Sequence, residues 1–158
     1  MKHVVGVSDM KVSRSPGDII VTHALGSCLG IVLYDPVAKV GGILHAMLPQ
    51  ASVNPAKAEA NPFAFVDVGT PAYIQTALAA GAQKGRLVVK VAGGAAMSTG
   101  ADMFAVGKRN FLMLRKVLWK EGLMIKNQDV GGTISRTLYL EVETGQTWIV
   151  SRGEKWSL

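Results

Sequence analysis

At residues 22–30 the chain reads Thr-His-Ala-Leu-Gly-Ser-Cys-Leu-Gly, and this stretch separates two runs that favour β-strands. The run before it is Ile19-Ile20-Val21-Thr22 and the run after it is Ile31-Val32-Leu33-Tyr34. β-Branched and aromatic residues of this kind are typical of strands. Glycines bracket Cys28, and glycine is used where the backbone bends sharply or another group approaches closely. The stretch therefore predicts two strands joined by a bend that carries an accessible thiol.

Cys28 is the only cysteine of the chain, and two other residues could assist it chemically. His45 lies in the next strand-like run, Val40 to Leu48, and is a candidate base for the thiol. Thr22 precedes the bend and could hydrogen-bond the far nitrogen of the imidazole, which would set its tautomer. Most free cysteines are small buried hydrophobic residues, so these residues alone leave a purely structural role for Cys28 open.

Two competing residues lie in the same stretch. Alternate side chains of a strand face opposite ways, so Thr22 is predicted to share a face with Ala24, while His23 points away. This alternation favours His45 over His23 as the base. Ser27 is the alternative nucleophile, and it is less favoured because a hydroxyl needs more activation than a thiol at neutral pH.

Composition narrows the class of protein. A chain of 158 residues with 49% hydrophobic residues predicts one globular domain over residues 1–158. One cysteine rules out a disulfide framework and a multi-thiolate metal site, so no metal is expected, and a lone thiol fits a reducing cytoplasm. The net charge of +6 suggests an acidic partner. The basic residues are scattered, however, so nucleic-acid binding is not expected. We also expect no signal peptide and no membrane insertion.

The predicted elements alternate between strands and two main helices. Strands are expected at residues 2–8, 10–12, 18–25, 29–35, 40–48, 86–92, 123–129, 133–143 and 146–152. One helix is expected to start with Thr70 as its cap and Pro71 as its first residue, with an earlier start at Phe65 and Asp67 as the alternative, and to stop at Gly81. The second is expected from Phe104 to Glu121. This order predicts an α+β fold with antiparallel hairpins near both ends of the chain.

Two connections are predicted from their turn residues. Residues 49–62 contain three prolines among small and polar residues, which indicates a long surface loop. Residues 144–145, Thr-Gly, indicate a two-residue hairpin turn between the last two expected strands. No strand is expected after Arg152.

Several separated motifs occur in a defined order along the chain. They are Thr-x-x-Leu-Gly-Ser-Cys at 22–28, Tyr-Asp-Pro at 34–36, Gly-Gly-x-x-His-x-Met-Leu-Pro at 41–49, Val-Ala-Gly-Gly-Ala-Ala-Met at 91–97, Val-Gly-Lys-Arg-Asn at 106–110, Asp-Val-Gly-Gly at 129–132 and Glu-Thr-Gly at 143–145. Together they cover nearly the whole chain. In these motifs the chain resembles the chemoreceptor glutamine deamidase family, CheD, of bacterial chemotaxis.

The resemblance implies a catalytic triad of Cys28, His45 and Thr22 that acts without a cofactor. It also implies a single-domain layered α/β sandwich, with largely antiparallel or mixed strands and two main helices packed over them. The thiolate would attack a glutamine side-chain carbonyl on a receptor helix, and hydrolysis of the thioester would leave glutamate. Backbone N–H groups of Ser27 or Cys28, with Gly26 supporting the bend, would stabilise the oxyanion. Methylesterase activity on receptor glutamates is also implied.

The resemblance implies two kinds of protein partner as well. One is the cytoplasmic helices of chemoreceptors, and the other is CheC, a phosphatase of the chemotaxis response regulator. An alternative is therefore a regulatory partner of CheC with little or no enzymatic activity. The family commonly has Phe after Gly-Gly-Ala-x-Met, whereas Ser98 follows Met97 here, so Phe104 becomes the candidate aromatic contact. The free chain is expected to be a monomer.

Overall fold

The two strand-forming runs on either side of the Cys28 bend form consecutive strands of the chain. These two strands belong to different sheets. In the computed structural model, which describes residues 1–96 and 105–158, the strands are β1 (Lys2–Val5), β2 (Asp9–Ser13), β3 (Ile19–Leu25), β4 (Leu29–Asp35), β5 (Val40–Ala46), β6 (Val88–Gly93), β7 (Ile125–Val130), β8 (Arg136–Glu141), β9 (Thr147–Ser151) and β10 (Glu154–Ser157). The α-helices of the described ranges are α1 (Pro55–Ala60), α2 (Val66–Ala79) and α3 (Val106–Glu121).

The strands form two five-stranded mixed sheets. The outer sheet has the order β1-β3-β8-β9-β10, and the central sheet has the order β2-β5-β4-β6-β7. The pairs β1–β3 and β6–β7 are parallel, and the other pairs within both sheets are antiparallel. The bend at Cys28 is therefore the point where the chain leaves the outer sheet and enters the central one.

Two hydrophobic cores lie on opposite faces of the central sheet. The core between the two sheets contains Val5, Ile20, Leu25, Val32, Tyr34, Ile43, Ala92, Leu138, Leu140, Val142 and Ile149. The core between the central sheet and the helices includes Leu29, Ile31, Leu33, Val40, Leu44, Val89, Val91, Ile74, Ala77, Leu114 and Leu118. The layers are thus outer sheet, central sheet and helices, which confirms the predicted layered α+β fold.

Burial on both faces explains the composition of β4. Leu29, Ile31 and Leu33 face the helices, whereas Val32 and Tyr34 face the outer sheet. Every residue of this strand is buried, so its sequence does not alternate between apolar and polar residues. Its one charged side chain, Asp35, is paired with Arg86.

The hairpin predicted between residues 29–35 and 40–48 is confirmed as β4 and β5, which pair without a register shift. Glycines weaken β5 as a strand-forming sequence, and the structure shows why they are needed. A Cβ atom at Gly42 would lie 2.7 Å from the carbonyl oxygen of Lys11 on β2. The backbones of β5 and β2 therefore approach closely at Gly42, and β5 pairs with both neighbouring strands without a bulge.

The start of α2 predicted at Thr70 and Pro71 is wrong, because the helix begins at Val66 and Pro71 lies inside it. The alternative earlier start at Phe65 and Asp67 is confirmed. The N–H group of Val66 donates to the carbonyl of Leu48, so the first turn of the helix is anchored by the chain that leaves β5. Thr70 lies within the helix and Phe65 occupies the N-cap position, so Thr70 does not act as the N-cap. The expected stop near Gly81 is confirmed, since the helix ends at Ala79.

The long surface loop expected at residues 49–62 lies largely at the surface, but it is not a loop throughout. It contains α1 and two short 3₁₀ turns at Ala51–Val53 and Pro62–Ala64. The side chain of Asn54 accepts a hydrogen bond from the N–H group of Lys57, and proline follows Asn54 at the first helical position. This pair is an ordinary helix-start signal, hidden in the sequence by the other prolines of the segment.

The remaining differences lie in the outer sheet. Ala24 is exposed and adopts a left-handed φ of 56° at a register shift of β3, so it does not share the buried face of Thr22. Five residues, 142–146, connect β8 to β9 in place of the predicted two-residue turn. The strand β10 was not expected, and it pairs with β9 after a turn at Arg152 and Gly153. In the described part of the chain, no helix is long and apolar enough to cross a membrane.

Candidate active site

A hydrogen-bonded pair of side chains joins the two sheets beside the Cys28 bend. Thr22 projects from β3 of the outer sheet and His45 from β5 of the central sheet, and both are almost completely buried, with 0% and 1% exposure. The hydroxyl oxygen of Thr22 lies 2.6 Å from Nδ1 of His45. The same hydroxyl lies 2.7 Å from the backbone carbonyl oxygen of Val5 on β1. The predicted contact between Thr22 and the imidazole is therefore present.

The second partner of Thr22 determines the tautomer of His45. A hydroxyl has one proton to donate, and a carbonyl oxygen can only accept, so the Thr22 proton goes to Val5. Nδ1 of His45 must then carry a proton and donate it to the Thr22 oxygen. This leaves the lone pair on Nε2, a buried atom with no hydrogen-bond partner among the described residues. His45 is thereby held as a neutral base with a free acceptor nitrogen.

Strand register puts Cys28 on the same side of the central sheet as His45. Leu29 pairs with Ala46 and Gly30 pairs with His45, so Cys28 continues this register opposite Met47. His45 is two residues from Met47, and positions two apart share a face. Cys28 packs against the core between the two sheets, which is also the side of His45 that contacts Thr22.

Burial shifts both titrating groups towards their neutral forms. It lowers the pKa of His45 to about 4, because an imidazolium is poorly solvated there. It raises the pKa of the Cys28 thiol above its usual value, and the N–H group of Cys28 opposes this only in part. At neutral pH the resting site therefore holds a thiol and a neutral imidazole, so the proton moves as the sulfur attacks.

Three consecutive carbonyl groups hold the bend in place. The carbonyl of Gly26 accepts from the N–H group of Ala95 at 2.9 Å, and that of Cys28 accepts from Gly94 at 2.9 Å. The carbonyl of Ser27 accepts from Nδ2 of Asn110 on α3 at 3.0 Å. In a planar trans peptide the next N–H group points opposite to the carbonyl. The N–H groups of Ser27 and Cys28 therefore point away from these anchors, and neither has a backbone acceptor among the described residues.

Comparison with known proteins identifies the family. The family model described as CheD chemotactic sensory transduction matches residues 47–151. A relative from Solibacter usitatus, named probable chemoreceptor glutamine deamidase CheD, is 43% identical over 152 residues, which are 96% of this chain and 90% of that protein. The chain belongs to the CheD family. A second relative, from Syntrophus aciditrophicus and named probable chemoreceptor glutamine deamidase CheD 1, is 43% identical over 95% of this chain and 94% of its own length.

The fold also has a distant likeness to a solved structure. The crystal structure of Neisseria meningitidis protein NMB0706 aligns with a TM-score of 0.45 and 14% identity, covering 83% of this chain and 63% of that chain. This likeness is too distant to support an argument about function. The span matched by the CheD family model begins after Thr22, Cys28 and His45, so the roles of these residues rest on their geometry.

The structure separates the candidate residues of this CheD family member into three groups. Thr22 and His45 are brought into contact, and Cys28 and Ser27 lie on the adjoining bend. His23 is exposed and faces away, as strand alternation predicts. The proposed partner contacts at Met97, Ser98 and Phe104 lie outside the described residues. Among the described residues, no cluster of three or more His, Cys, Asp or Glu side chains is placed to hold a metal ion.

Sequence reasoning missed two residues that support the bend. Asn110 is fully buried, although it is a polar residue within an amphipathic helix. Gly93 has a φ of 110°, and a Cβ atom there would collide with the carbonyl oxygen of Cys28. The available signal for Asn110 was an amide at a position of α3 that faces the core rather than solvent. Both residues belong to motifs of the family resemblance, at 91–97 and 106–110, but those motifs did not assign them a role. The constraint on Gly93 comes from Cys28, which is 65 positions away in the chain.

Proposed function

We propose that this chain converts glutamine side chains of chemoreceptors to glutamate and releases ammonia. Cys28 is the nucleophile, His45 the base and Thr22 the residue that orients the imidazole. The observation that carries this proposal is the hydrogen bond between Thr22 and Nδ1 of His45, which leaves Nε2 as a lone-pair acceptor beside the bend that bears the thiol. A nucleophile, a neutral base and a third group that orients the base are the parts of a hydrolytic triad.

The reaction follows from these protonation states. Nε2 of His45 takes the thiol proton while Cys28 Sγ bonds to the side-chain carbonyl carbon, giving a tetrahedral intermediate and an imidazolium. The imidazolium then gives its proton to the amide nitrogen, which leaves as ammonia when its bond to carbon breaks. Water, deprotonated by His45, attacks the resulting thioester. The products are glutamate and the free thiol.

Backbone N–H groups of the bend are suited to the oxyanion. The N–H groups of Ser27 and Cys28 point away from the anchored carbonyls, and that of Cys28 faces its own sulfur. Gly26 supports this arrangement through its hydrogen bond with Ala95. A single such donor is typically worth about 3 kcal/mol of barrier reduction. The neutral hydroxyl of Thr22 stabilises the imidazolium less than a carboxylate would, which suits a role in orientation.

The substrate assignment follows the names of the relatives from Solibacter usitatus and Syntrophus aciditrophicus, both of which specify a chemoreceptor glutamine deamidase. A methyl ester of glutamate presents the same carbonyl carbon at the same position, so methylesterase activity on receptors belongs to the proposal. The proposed place of action is the cytoplasm, where a free thiol stays reduced. Binding of CheC remains a prediction, since the contact residues suggested for CheC lie within 97–104. A monomeric free state is a prediction as well.

The test uses purified protein and a recombinant chemoreceptor signalling-domain fragment. Wild-type protein should release ammonia and raise the fragment's mass by about one dalton per converted glutamine, as expected for amide hydrolysis. Cys28→Ser should abolish both signals while the variant keeps its fold. Ser27→Ala is the matched control, because it removes the neighbouring hydroxyl and leaves the thiol. Normal turnover by Cys28→Ser, or loss of turnover in Ser27→Ala alone, would contradict the assignment of the nucleophile.

A further inference from the structure

We propose that Asn110 is a positioning residue for this reaction, which sets the direction of the Cys28 N–H group towards the oxyanion. This inference rests on the proposed function, since it assigns how one part of the catalytic bend is held. It starts from the hydrogen bonds of the Asn110 side chain. Nδ2 lies 3.0 Å from the Ser27 carbonyl oxygen and 3.1 Å from that of Met47.

These two acceptors belong to the two halves of the site. Ser27 immediately precedes the nucleophile, and Met47 follows the base by two residues at the end of β5. One amide group on α3 therefore ties the peptide before Cys28 to the strand that carries His45. Asn110 uses both N–H protons in this way, whereas its Oδ1 is buried with no partner among the described residues.

The orientation of this amide is determined by its acceptors. Both neighbouring atoms are carbonyl oxygens, which cannot donate, so the nitrogen rather than the oxygen must face them. A buried amide oxygen without a partner carries a free-energy cost. Asn110 is 0% exposed, so its Oδ1 carries this free-energy cost in full. A buried polar atom without a partner calls for an explanation, and the placement of the Asn110 amide for function supplies one.

The effect on the oxyanion passes through a single rigid peptide. The Ser27 carbonyl and the Cys28 N–H group belong to the same planar unit and point in opposite directions. The carbonyls of Gly26 and Cys28 accept from the N–H groups of Ala95 and Gly94, whereas the Ser27 carbonyl has no backbone donor among residues 1–96 and 105–158 and is held by Asn110. Loss of the side chain would therefore free this peptide to rotate while the bend stays attached on both sides.

The test compares two reactions of the same thiol. Deamidation passes through a tetrahedral oxyanion, whereas alkylation by iodoacetamide displaces iodide at carbon and forms none. In Asn110→Ala, kcat for the receptor fragment should fall between about tenfold and a hundredfold, below the full loss of an oxyanion donor, with little change in KM. The alkylation rate of Cys28 should change less than about threefold. Ser151→Ala is the matched control, since it removes a side-chain donor to the Ser135 carbonyl in the outer sheet and should leave both rates unchanged.

A second variant keeps the proposal testable if Asn110→Ala does not fold. Asn110→Asp fills the same space, and its new carboxyl group can donate one hydrogen bond only while protonated. Its kcat should therefore fall as pH rises through the pKa of that group, a titration that the wild-type enzyme lacks. A merely structural role would not produce this profile in kcat at constant KM.

The outcomes distinguish this inference from the function on which it rests. A wild-type enzyme that deamidates the fragment, with Asn110→Ala equally fast, would overturn the role of Asn110 and leave the function standing. An equal loss of alkylation and deamidation would show general disorder of the bend and also overturn it. A wild-type protein that releases no ammonia, but whose Cys28 is alkylated normally, would overturn the proposed function and the positioning role with it.

Discussion

Replacing Thr22 by valine tests the hydrogen bonds that hold the base. Valine keeps the β-branched shape of threonine and its preference for a strand, so β3 should form normally. The substitution removes one hydroxyl, which accepts from His45 Nδ1 at 2.6 Å and donates to the Val5 carbonyl at 2.7 Å. Both partners are almost completely buried, with exposures of 1% and 2%. Two buried polar groups therefore each lose a hydrogen bond, and the Nδ1 donor of His45 is left without its acceptor.

The magnitude follows from these two lost bonds. A buried donor without a partner costs about 1–3 kcal/mol and a second lost hydrogen bond about 1 kcal/mol more, so the free energy of unfolding should fall by about 2–4 kcal/mol in Thr22→Val. From the sequence alone, the hydroxyl is expected to orient His45 without contributing to stability. The bond to Val5, which links β3 to β1, changes this expectation.

The effect on catalysis comes through His45. Without the Thr22 oxygen, Nδ1 no longer has an acceptor, so the imidazole is free to rotate or to move its proton to Nε2. Either change removes the correctly placed lone pair, and a loss of about 1.4–2.8 kcal/mol corresponds to a ten- to hundredfold lower rate. The rate is measured as ammonia release from a chemoreceptor fragment at a temperature where urea titration shows the variant folded.

Thr22→Ser is the matched control, because it keeps the hydroxyl and removes only a buried methyl group. It should lose about 1 kcal/mol of stability and keep most of the wild-type rate. Wild-type turnover in Thr22→Val would show that another group orients His45. Equal slowing in both variants would show that the methyl group matters rather than the hydroxyl, and would refute the reasoning.

Three further predictions concern protonation and the bend. His45 has a pKa of about 4 in the folded chain and 6.5 when unfolded, so the unfolded chain binds a proton first as pH falls. Its contribution to stability is complete above pH 6.5, and about 3 kcal/mol should be lost by pH 4, measured in urea against His45→Asn. Alkylation of Cys28 by iodoacetamide should keep accelerating beyond its usual pKa of 9.0, and a plateau near neutral pH would contradict a resting thiol. Gly93→Ala should lower both activity and stability, because its Cβ meets the Cys28 carbonyl at a φ of 110°; Gly153→Ala, at a φ of 76° in open space, should retain activity.

Local patterns in the sequence were enough to predict most strands and the two main helices. The apolar runs around the Cys28 bend predicted β3, β4 and β5, and the helical spacing of apolar residues predicted α3. Local sequence patterns predicted the start of an element less reliably where a residue distant in the sequence fixes that start. The start of α2 is set by Leu48, which accepts from Val66, so the apparent cap at Thr70 is misleading.

The candidate residues of the site also came from the sequence, but their arrangement did not. Alternation along β3 put Thr22 on one face and His23 on the other, because this depends only on neighbouring residues. That the bend passes from one sheet to the other, so that Thr22 meets His45 across the gap, depends on the pairing of whole strands.

Only the tertiary structure assigned the remaining parts of the site. The Val5 carbonyl sets the tautomer of His45, and a carbonyl group has no signature in the sequence because every residue has one. Asn110 reaches Ser27 and Met47 from 83 and 63 positions away. Chemical types and local periodicity are therefore properties of the sequence itself. Long-range hydrogen bonds, which form only when the layers pack together, decide which nitrogen of His45 keeps a lone pair and which N–H group points towards the oxyanion.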